Sequence, residues 1–454
     1  METAQKIKDP SQNAEALPEF KPIRKKPAAA SFKKGDTLVL IGELFSRGYA
    51  NGLVEEAQKN GLKIIRATVG RRDENQNLRP LNETELSEIQ NNDSFPNSPV
   101  INIALEAGFD LELDHKGMRI VDYLKGFKLS EWEKASVPTD SIASAKETAR
   151  QRFRKNLAHF VEALNPHIHP GSHVHFAHLM AGGVPRTKLV MPLLNRVFKG
   201  TGDRYLSSKT FWDSSIGLLL QQNFVEVTAN TYNELIQVTT NFRKKQESTG
   251  GSVSYVAYGY HGTETIINGK YQWQSYAPYV QGWAKIELEN FSAHWSKEGI
   301  RTCVYNCPEI LTNSSSIFQG VEIPLYSLTR AFKHEIPDHP LTKKIVADCR
   351  AQLKAPENLE KIYVQIDQLV KLMVENETSD FATWPQHSTQ IQLEKMLETS
   401  NTIYDLQVDQ NSQLQIILSE LIFRSCGYIM LHEGYKPAHP VGWIGHDVVV
   451  RCLE

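Results

Sequence analysis

Short apolar runs and amphipathic stretches alternate along the first two thirds of the chain. Asp-Thr-Leu-Val-Leu-Ile-Gly at 36–42 is a compact run of Leu and β-branched residues closed by glycine, which predicts a buried strand. A helix follows over 53–60, stopped by Gly61, and Leu-Lys-Ile-Ile-Arg-Ala-Thr-Val at 62–69 reads as a second strand. Strand, glycine-containing turn, helix and strand make a βαβ unit, hence a parallel sheet with a right-handed crossover. Residues 70–98 are polar and read as an exposed connection. Further strands are expected at 99–105, 173–180, 252–258 and 301–305, with helices at 139–164, near 211–245 and at 283–297. This alternation predicts an α/β fold with a doubly wound, parallel Rossmann-type sheet.

Beyond about residue 340 the pattern turns mostly helical, with amphipathic stretches near 358–375, 388–400 and 412–424. Leu359, Ile362, Tyr363, Ile366, Leu369, Val370 and Met373 fall on one stripe. Such a stripe is too broad to face water, so it is expected to dock on the α/β body. The chain therefore divides into a polar leader (1–35), a catalytic domain (36–340) and a helical C-terminal region (341–454). The leader is expected to be solvated and to pack partly on the domain. The C-terminal region is expected to stabilise the body without supplying the proton donor.

Composition narrows the function classes. The 454 residues carry 50 Lys+Arg against 52 Asp+Glu, a net charge of −2, and are 41% hydrophobic. Such a balance supplies no field for nucleic acid or an anionic membrane. The basic stretch at Arg24, Lys25 and Lys26 is short and poor in aromatic neighbours that would stack bases. No unbroken apolar run approaches the roughly 18–20 residues of a bilayer span. Five cysteines and an N-terminus without an apolar core argue for a reducing, cytoplasmic setting. No nucleic acid and no membrane insertion are expected; the oligomeric state is not legible.

Candidate chemistry gathers at the ends of the expected strands. Gly42, Gly48 and Gly52 follow the first strand, where the backbone would approach a dinucleotide pyrophosphate at a helix N-terminus. Their spacing is looser than G-x-G-x-x-G, and a turn that merely uses glycine is the competing reading. After the second strand the acidic residue that would hold an adenosine ribose is replaced by Arg71 and Arg72. Guanidinium forks there favour a 2′-phosphate, hence NADPH over NADH, unless they are simply solvated loop arginines. His167, His169, His173, His175 and His178 cluster within twelve positions. A metal hydrolase is the rival they suggest, but no carboxylate completes a ligand set nearby. They are read as hydrogen-bonded structural histidines, with no metal. Cys303 and Cys307 are read as core thiols. Tyr258, Tyr260, Tyr271 and Tyr276 follow the fifth strand, and Lys285 stands in the next helix. A Tyr and a Lys at the carboxyl end of such a sheet form a proton-donating pair, because the ammonium lowers the phenol pKa.

With these residues in place the chain resembles the short-chain dehydrogenase/reductase superfamily. Lys285-Ile-Glu-Leu-Glu-Asn-Phe is similar to the helix after that superfamily's active-site lysine. Ser46-Arg47-Gly48-Tyr49-Ala is similar to its first glycine turn, and Asn306-Cys-Pro308 through Thr312 to its Asn-Pro-Gly…Thr segment. The tyrosine usually found four positions before the lysine is Gln281 here, while Tyr276 precedes Lys285 with eight residues between. That wide spacing resembles the FabV-type trans-2-enoyl-CoA/ACP reductases, as do the loop at 181–186 and the stretch around Pro324-Leu-Tyr-Ser-Leu.

The resemblance implies NADPH- or NADH-dependent reduction of the 2,3-double bond of a trans-2-enoyl thioester carried by CoA or acyl carrier protein, within fatty acid biosynthesis. It implies that Tyr276 donates to the enolate, that Lys285 supports Tyr276 and the nicotinamide ribose, and that Tyr258 is a second donor. It further implies that Ser46, Arg47, Gly48, Tyr49 and Ala181 line the cofactor site. Ile310 and Thr312 would meet the nicotinamide carboxamide, and residues 313–340 would cover an acyl channel. The alternatives are a short-chain reductase acting on a ketone or polyketide intermediate, a non-catalytic Rossmann-fold binding protein, and the histidine-cluster hydrolase.

Overall fold

The apolar run at 36–42 becomes the central strand of the molecule, because a segment with five consecutive buried side chains has to be covered on both faces. The computed structural model describes residues 19–45, 47–91, 98–275, 280–312, 315, 319–376, 379–381, 386–409 and 413–454. β1 (Pro22–Ile23) precedes this central strand, β2 (Thr37–Ile41), which leads through α1 (Tyr49–Lys59) to β3 (Lys63–Ala67). A small hairpin, β4 (Arg71–Arg72) and β5 (Leu78–Arg79), then α2 (Glu83–Asn91) and β6 (Val100–Ile101) follow. α3 (Thr139–Leu164) returns the chain to β7 (His173–His178). Between β7 and β8 (Ser252–Gly259) lie α4 (Val190–Lys199), α5 (Ser208–Trp212), α6 (Ser215–Val225), α7 (Thr231–Val238) and α8 (Thr240–Ser248). A second hairpin, β9 (Gly262–Ile267) and β10 (Lys270–Ser275), precedes α9 (Val280–Lys297) and β11 (Arg301–Asn306). Then come α10 (Glu322–Glu335), α11 (Pro340–Ala351), α12 (Asn358–Glu375) and α13 (Gln390–Leu406). The chain closes with α14 (Gln413–His432), β12 (Val441–Ile444) and α15 (His446–Leu453).

Eight strands form one sheet in the order β1-β12-β11-β8-β7-β2-β3-β6, and every neighbouring pair is parallel. After the edge strand β1, the chain enters the sheet's centre at β2, moves outward through β3 and β6, then crosses back to β7 and proceeds the other way. The doubly wound expectation therefore holds, and the winding reverses between β2 and β7. Loops diverge at such a reversal and leave a crevice outside the carboxyl ends of the strands. Alternate side chains serve the two faces: Leu38 and Leu40 enter one core layer, Val39, Ile41, Val174 and Phe176 the other.

Segments from the leader and from the C-terminal region both belong to this sheet. Residues 22–23 pair with β12 in register, Pro22 opposite Trp443, so this part of the leader is an edge strand. β12 pairs with β11, Val304 opposite Val441, and the C-terminal region re-enters the Rossmann layer instead of only docking on it. Val-Gly-Trp-Ile is too short and too interrupted by glycine to read as a strand alone; the exposed edge of β11 supplies the hydrogen bonds that make it one. Helices α10 to α13 are thus an insertion between β11 and α14. The stripe on α12 packs as expected, with Leu359, Ile362, Tyr363, Ile366, Leu369 and Val370 buried. Leu414–His432 is long and apolar enough to cross a membrane by length and composition, yet 67% of it is buried inside the fold.

Other elements depart from expectation locally. The single helix expected near 211–245 is broken. Ser214 caps α6 by accepting from Gly217 N, a π-helical turn spans Glu226–Asn230, and Thr239 separates α7 from α8. The connection at 70–98 holds β4, β5 and α2, and only Val100 and Ile101 of the third expected strand pair.

Gly52 has a different role from the one its position suggested. A Cβ there would lie 1.9 Å from the Phe423 carbonyl oxygen, and one on Gly427 would lie 2.1 Å from the Gly52 carbonyl carbon. Gly52 is a packing glycine between α1 and α14 and does not belong to the cofactor turn. Gly52→Ala is expected to destabilise the protein by about 1–3 kcal/mol, the scale of overpacking. Urea or thermal unfolding measures this, and an unchanged midpoint would show that the two helices can part freely.

Candidate active site

The crevice at the reversal holds two adjoining cavities. One, of about 320 Å³, lies toward β3 and β6 and is lined by Gly42, Val69, Glu106, Asp110 and Arg186. The other, of about 340 Å³, lies toward β8 and is lined by Gly48, Tyr49, Asn51, His178, Tyr258, Lys285, Ile310 and Thr312. Glu43, Phe45, Leu179, Met180 and Ala181 wall both, which gives one elongated cleft along the strand ends. Gly42 has φ +119°, and a Cβ there would press to 3.2 Å on Leu179, so glycine is required where the cleft floor turns. The N-terminus of α1 opens into the second cavity with no side chain capping it. The N–H groups of its first turn and its dipole suit an anion such as a pyrophosphate.

The reactive end is built where β8 meets α9. Lys285 is buried and its Nζ donates to the carbonyl oxygen of Tyr258, the strand's penultimate residue. Burial lowers the ammonium pKa to about 8, although Cys307 and Glu289 act the other way. The Tyr258 ring stacks on Tyr49 at 5.5 Å, and the Tyr49 hydroxyl donates to the Pro308 carbonyl oxygen at 2.7 Å. Among the described residues the buried Tyr258 hydroxyl has no hydrogen-bond partner. Burial raises its pKa well above the ordinary value, so it stays protonated and available as a donor. Asn51 Oδ1 and His178 Nδ1 are likewise buried without a partner among the described residues, and both residues line the cleft. Polar atoms left unsatisfied in a cavity cost free energy until a ligand pairs them. The set fits a polar, ribose-bearing ligand.

A buried frame fixes this corner. Asn306, the last residue of β11, donates to Glu289 of α9 at 2.8 Å and accepts from the His261 backbone N–H at 2.8 Å. Glu309 lines the cleft beside Tyr260, whose hydroxyl donates to its Oε1 at 3.1 Å. Burial pushes the Glu309 carboxyl up to about 7. On the opposite wall Asn223 ties Gly183 O to Phe109 N, and the π turn presents Thr228 to Gly182. A π turn beside a cleft is a frequent device for displacing one side chain out of the helical register.

The residues singled out from the sequence separate into groups. Tyr258, Lys285, Arg47, Gly48, Tyr49, Ala181, Ile310 and Thr312 meet in the second cavity, and Gly42 floors the first. Ser46 and Tyr276 lie outside the described residues. Arg71 and Arg72 do not stand as phosphate forks. Arg71 bonds Glu43 at 2.6 Å, and Arg72, 7% exposed, bonds Glu106 and Glu112, each at 2.8 Å. Arg186 bonds Glu106 and Asp110 in the same network. A carboxylate already occupies each fork, and the cavity beside them carries Glu43, Glu106 and Asp110. His173 and His175 bond Ser252 and Ser254 of β8, at 2.8 and 2.7 Å respectively. His178, a cleft-lining residue, bonds Thr231 at 2.7 Å through Nε2, and its buried Nδ1 has no partner among the described residues. Asn51, His178, Thr228 and Glu309 were not read as site residues. Glu309 had a usable signal, an acid directly after Pro308 at a strand end, whereas Thr228 reaches the cleft only through the π turn.

A family model described as enoyl-acyl carrier protein reductase FabMG matches residues 19–453. Among solved structures the chain is similar to the apo form of FabMG, described as a novel type of enoyl-acyl carrier protein reductase. The identity is 39%, over 96% of this chain and 98% of that one, with a TM-score of 0.91. It is also similar to an NADH-bound structure of FabMG, at 34% identity, over 96% and 98% of the two chains, with a TM-score of 0.75. No curated protein matches the chain.

Proposed function

The chain belongs to the FabMG family of enoyl-acyl carrier protein reductases, and from that premise we propose how its cleft reduces an enoyl thioester and which nucleotide it prefers. The enzyme is an NAD(P)H-dependent oxidoreductase. The family bears another name than the FabV-type enzymes that the Tyr276–Lys285 spacing resembles, but the reaction class is the one that resemblance implied. The observation carrying the assignment of roles is that Tyr258, whose buried hydroxyl has no partner among the described residues, and Lys285, whose Nζ donates to the Tyr258 carbonyl oxygen, both line the cleft at the end of β8.

The dinucleotide, when bound, supplies a hydride to the β-carbon of the enoyl thioester. The N–H groups at the start of α1 and the Gly42 turn would hold its pyrophosphate, and Ile310 and Thr312 would flank its nicotinamide. The displaced π electrons of the substrate move onto the thioester oxygen. Tyr258 donates a hydrogen bond to that oxygen, and a fixed donor aimed at developing charge in a dry site is worth several kcal/mol. Tyr276 protonates the enolate oxygen so formed, the enol tautomerises to the saturated thioester, and the Tyr276 phenolate regains its proton from solvent. Lys285, held by the Tyr258 carbonyl, is the cation that would favour phenolate at Tyr276 as its proton leaves. The test follows NADH oxidation with a trans-2-enoyl-ACP and identifies the acyl product by mass. A cofactor consumed without saturation of the double bond would overturn the reading.

NADH is the expected nucleotide. The guanidiniums of Arg71 and Arg72 are already bonded to carboxylates, which leaves them committed away from a 2′-phosphate, and the similar FabMG structure was solved with NADH. The kcat/KM for NADH is expected to exceed that for NADPH by at least about tenfold, or about 1.4 kcal/mol. Initial rates with both nucleotides decide it, and a preference for NADPH would return the arginines to the phosphate role.

A further inference from the structure

His178 ends β7 at the reversal, with Ile41 of β2 opposite it on one side and Ala257 of β8 on the other. Its side chain is buried and lines the cavity that also holds Tyr258, Lys285, Ile310 and Thr312. The neighbours of this ring fix which nitrogen carries the proton. The Thr231 hydroxyl lies 2.7 Å from the Val227 carbonyl oxygen and 2.7 Å from His178 Nε2. A carbonyl oxygen only accepts, so the single hydroxyl proton goes to Val227 and the hydroxyl oxygen accepts from Nε2–H. Burial, aided by the Lys285 charge, lowers the ring's pKa to about 3, so the imidazole is neutral and has one N–H. Nδ1 is therefore a bare lone pair, buried and without a partner among the described residues. Resting on the reductase reading, we infer that His178 Nδ1 accepts a hydrogen bond from a hydroxyl of the ribose adjoining the nicotinamide, with Thr231 locking the imidazole as an acceptor.

The chemistry of the walls narrows the ligand group. A buried acceptor left unpaired costs free energy until a donor reaches it, so the ligand has to bring an O–H or N–H. That rules out the pyrophosphate, which has no proton to give near neutrality. The same cavity holds the Lys285 ammonium, which can only donate. A hydroxyl answers both walls through one oxygen, accepting from the ammonium and donating to the imidazole. Ile310 and Thr312, assigned to the nicotinamide, line this cavity and not the one toward β3 and β6, which places the hydroxyls on the nicotinamide side of the dinucleotide. Val227 belongs to the π turn Glu226–Asn230, and Thr231 follows it directly. The π turn thus acts on the cleft a second time, by taking the hydroxyl proton that would otherwise compete for the imidazole. Neither the glycine turn nor the Tyr–Lys pair supplies a neutral acceptor of this kind.

The experiment is titration calorimetry of the full-length wild type, His178→Gln and His178→Asn with ADP, ADP-ribose and NADH. ADP-ribose carries the second ribose without the nicotinamide, and ADP carries neither. The Gln amide nitrogen falls where Nε2 stood and keeps a donor for Thr231, but nothing replaces Nδ1. The Asn amide oxygen falls where Nδ1 stood, but the bond to Thr231 is lost. In His178→Gln the Kd for ADP-ribose and for NADH is expected to rise by at least about tenfold, the scale of a buried donor left unpaired. The Kd for ADP and the unfolding temperature should stay at the wild-type values. His178→Asn is expected to unfold at a lower temperature yet to keep its affinity for ADP-ribose, and it decides the matter alone if His178→Gln does not fold. A histidine that serves only the fold gives the reverse order, with Asn impaired and Gln like the wild type, and that result would overturn the inference. So would an equal rise for ADP, or a rise for NADH alone, which would assign Nδ1 to the carboxamide. A wild type that binds none of the three would instead overturn the dinucleotide reading itself.

Discussion

Lys285→Met is expected to lower kcat by about two to four powers of ten, the range of a lost acid–base group and its electrostatic support. Lys285 is a buried cation whose only described hydrogen bond is to a backbone carbonyl at the cleft floor. Nothing about the fold requires a charge there. Burial lowers its pKa to about 8, so the folded protein already holds that charge at a cost. Met keeps the length and removes the charge, and the variant should unfold at a temperature no lower than the wild type. Loss of turnover with retained heat stability separates chemistry from folding. The wild type carries its own check. Lys285 is protonated below about pH 8 and neutral above it, so turnover should fall as pH rises through about 8. A kcat that stays flat from neutral to strongly alkaline pH would deny the ammonium its role.

Removing the two phenols should separate their roles. Tyr258→Phe takes away a donor whose hydroxyl is buried, protonated and unpartnered among the described residues. The expected loss in kcat is about two to three powers of ten, the measured scale for one oxyanion donor. Stability should hold or rise slightly, because no described hydrogen bond is lost and an unsatisfied buried group is removed. Tyr276→Phe is expected to cost about two to four powers of ten as the loss of the proton donor. If both act on one oxygen, the double variant should fall far short of the product of the single losses. Wild-type turnover in Tyr276→Phe would transfer the acid role to Tyr258, and wild-type turnover in both would remove the mechanism.

Much of the site was legible because strand ends are legible. Gly42, Tyr258 and Asn306 are each at or beside the last residue of a buried run, and the doubly wound topology brings such ends to one crevice. Lys285 was readable for the same reason, one helix beyond its strand. The arginines and Gly52 were misplaced for a common reason. Sequence position put them near the cofactor, but their partners, Glu106 and Glu112 for Arg72 and the Phe423 carbonyl for Gly52, stand far along the chain. A guanidinium's function depends on which anion reaches it first, and that is a matter of packing. His178 was read with its neighbours as a structural histidine; it bonds Thr231, yet it also lines the cleft, which no local pattern announces.

The sequence by itself determined the parallel doubly wound sheet, the reversal that makes the crevice, and the identity of the residues at the strand ends. These follow from local periodicity and from the handedness of βαβ crossovers, which leave few topologies open. Only the tertiary structure decided that residues 22–23 and 441–444 complete the sheet, that α10 to α13 are an insertion walling an apolar cavity, and that Arg71 and Arg72 are bonded to carboxylates. A two-residue strand such as Pro22–Ile23, or a four-residue one such as Val441–Ile444, has too few apolar side chains to declare itself. It exists because a neighbouring edge, distant in the chain, has backbone groups that must be paired. Local pattern records what a segment has to bury, and only the assembled fold records what it is buried against.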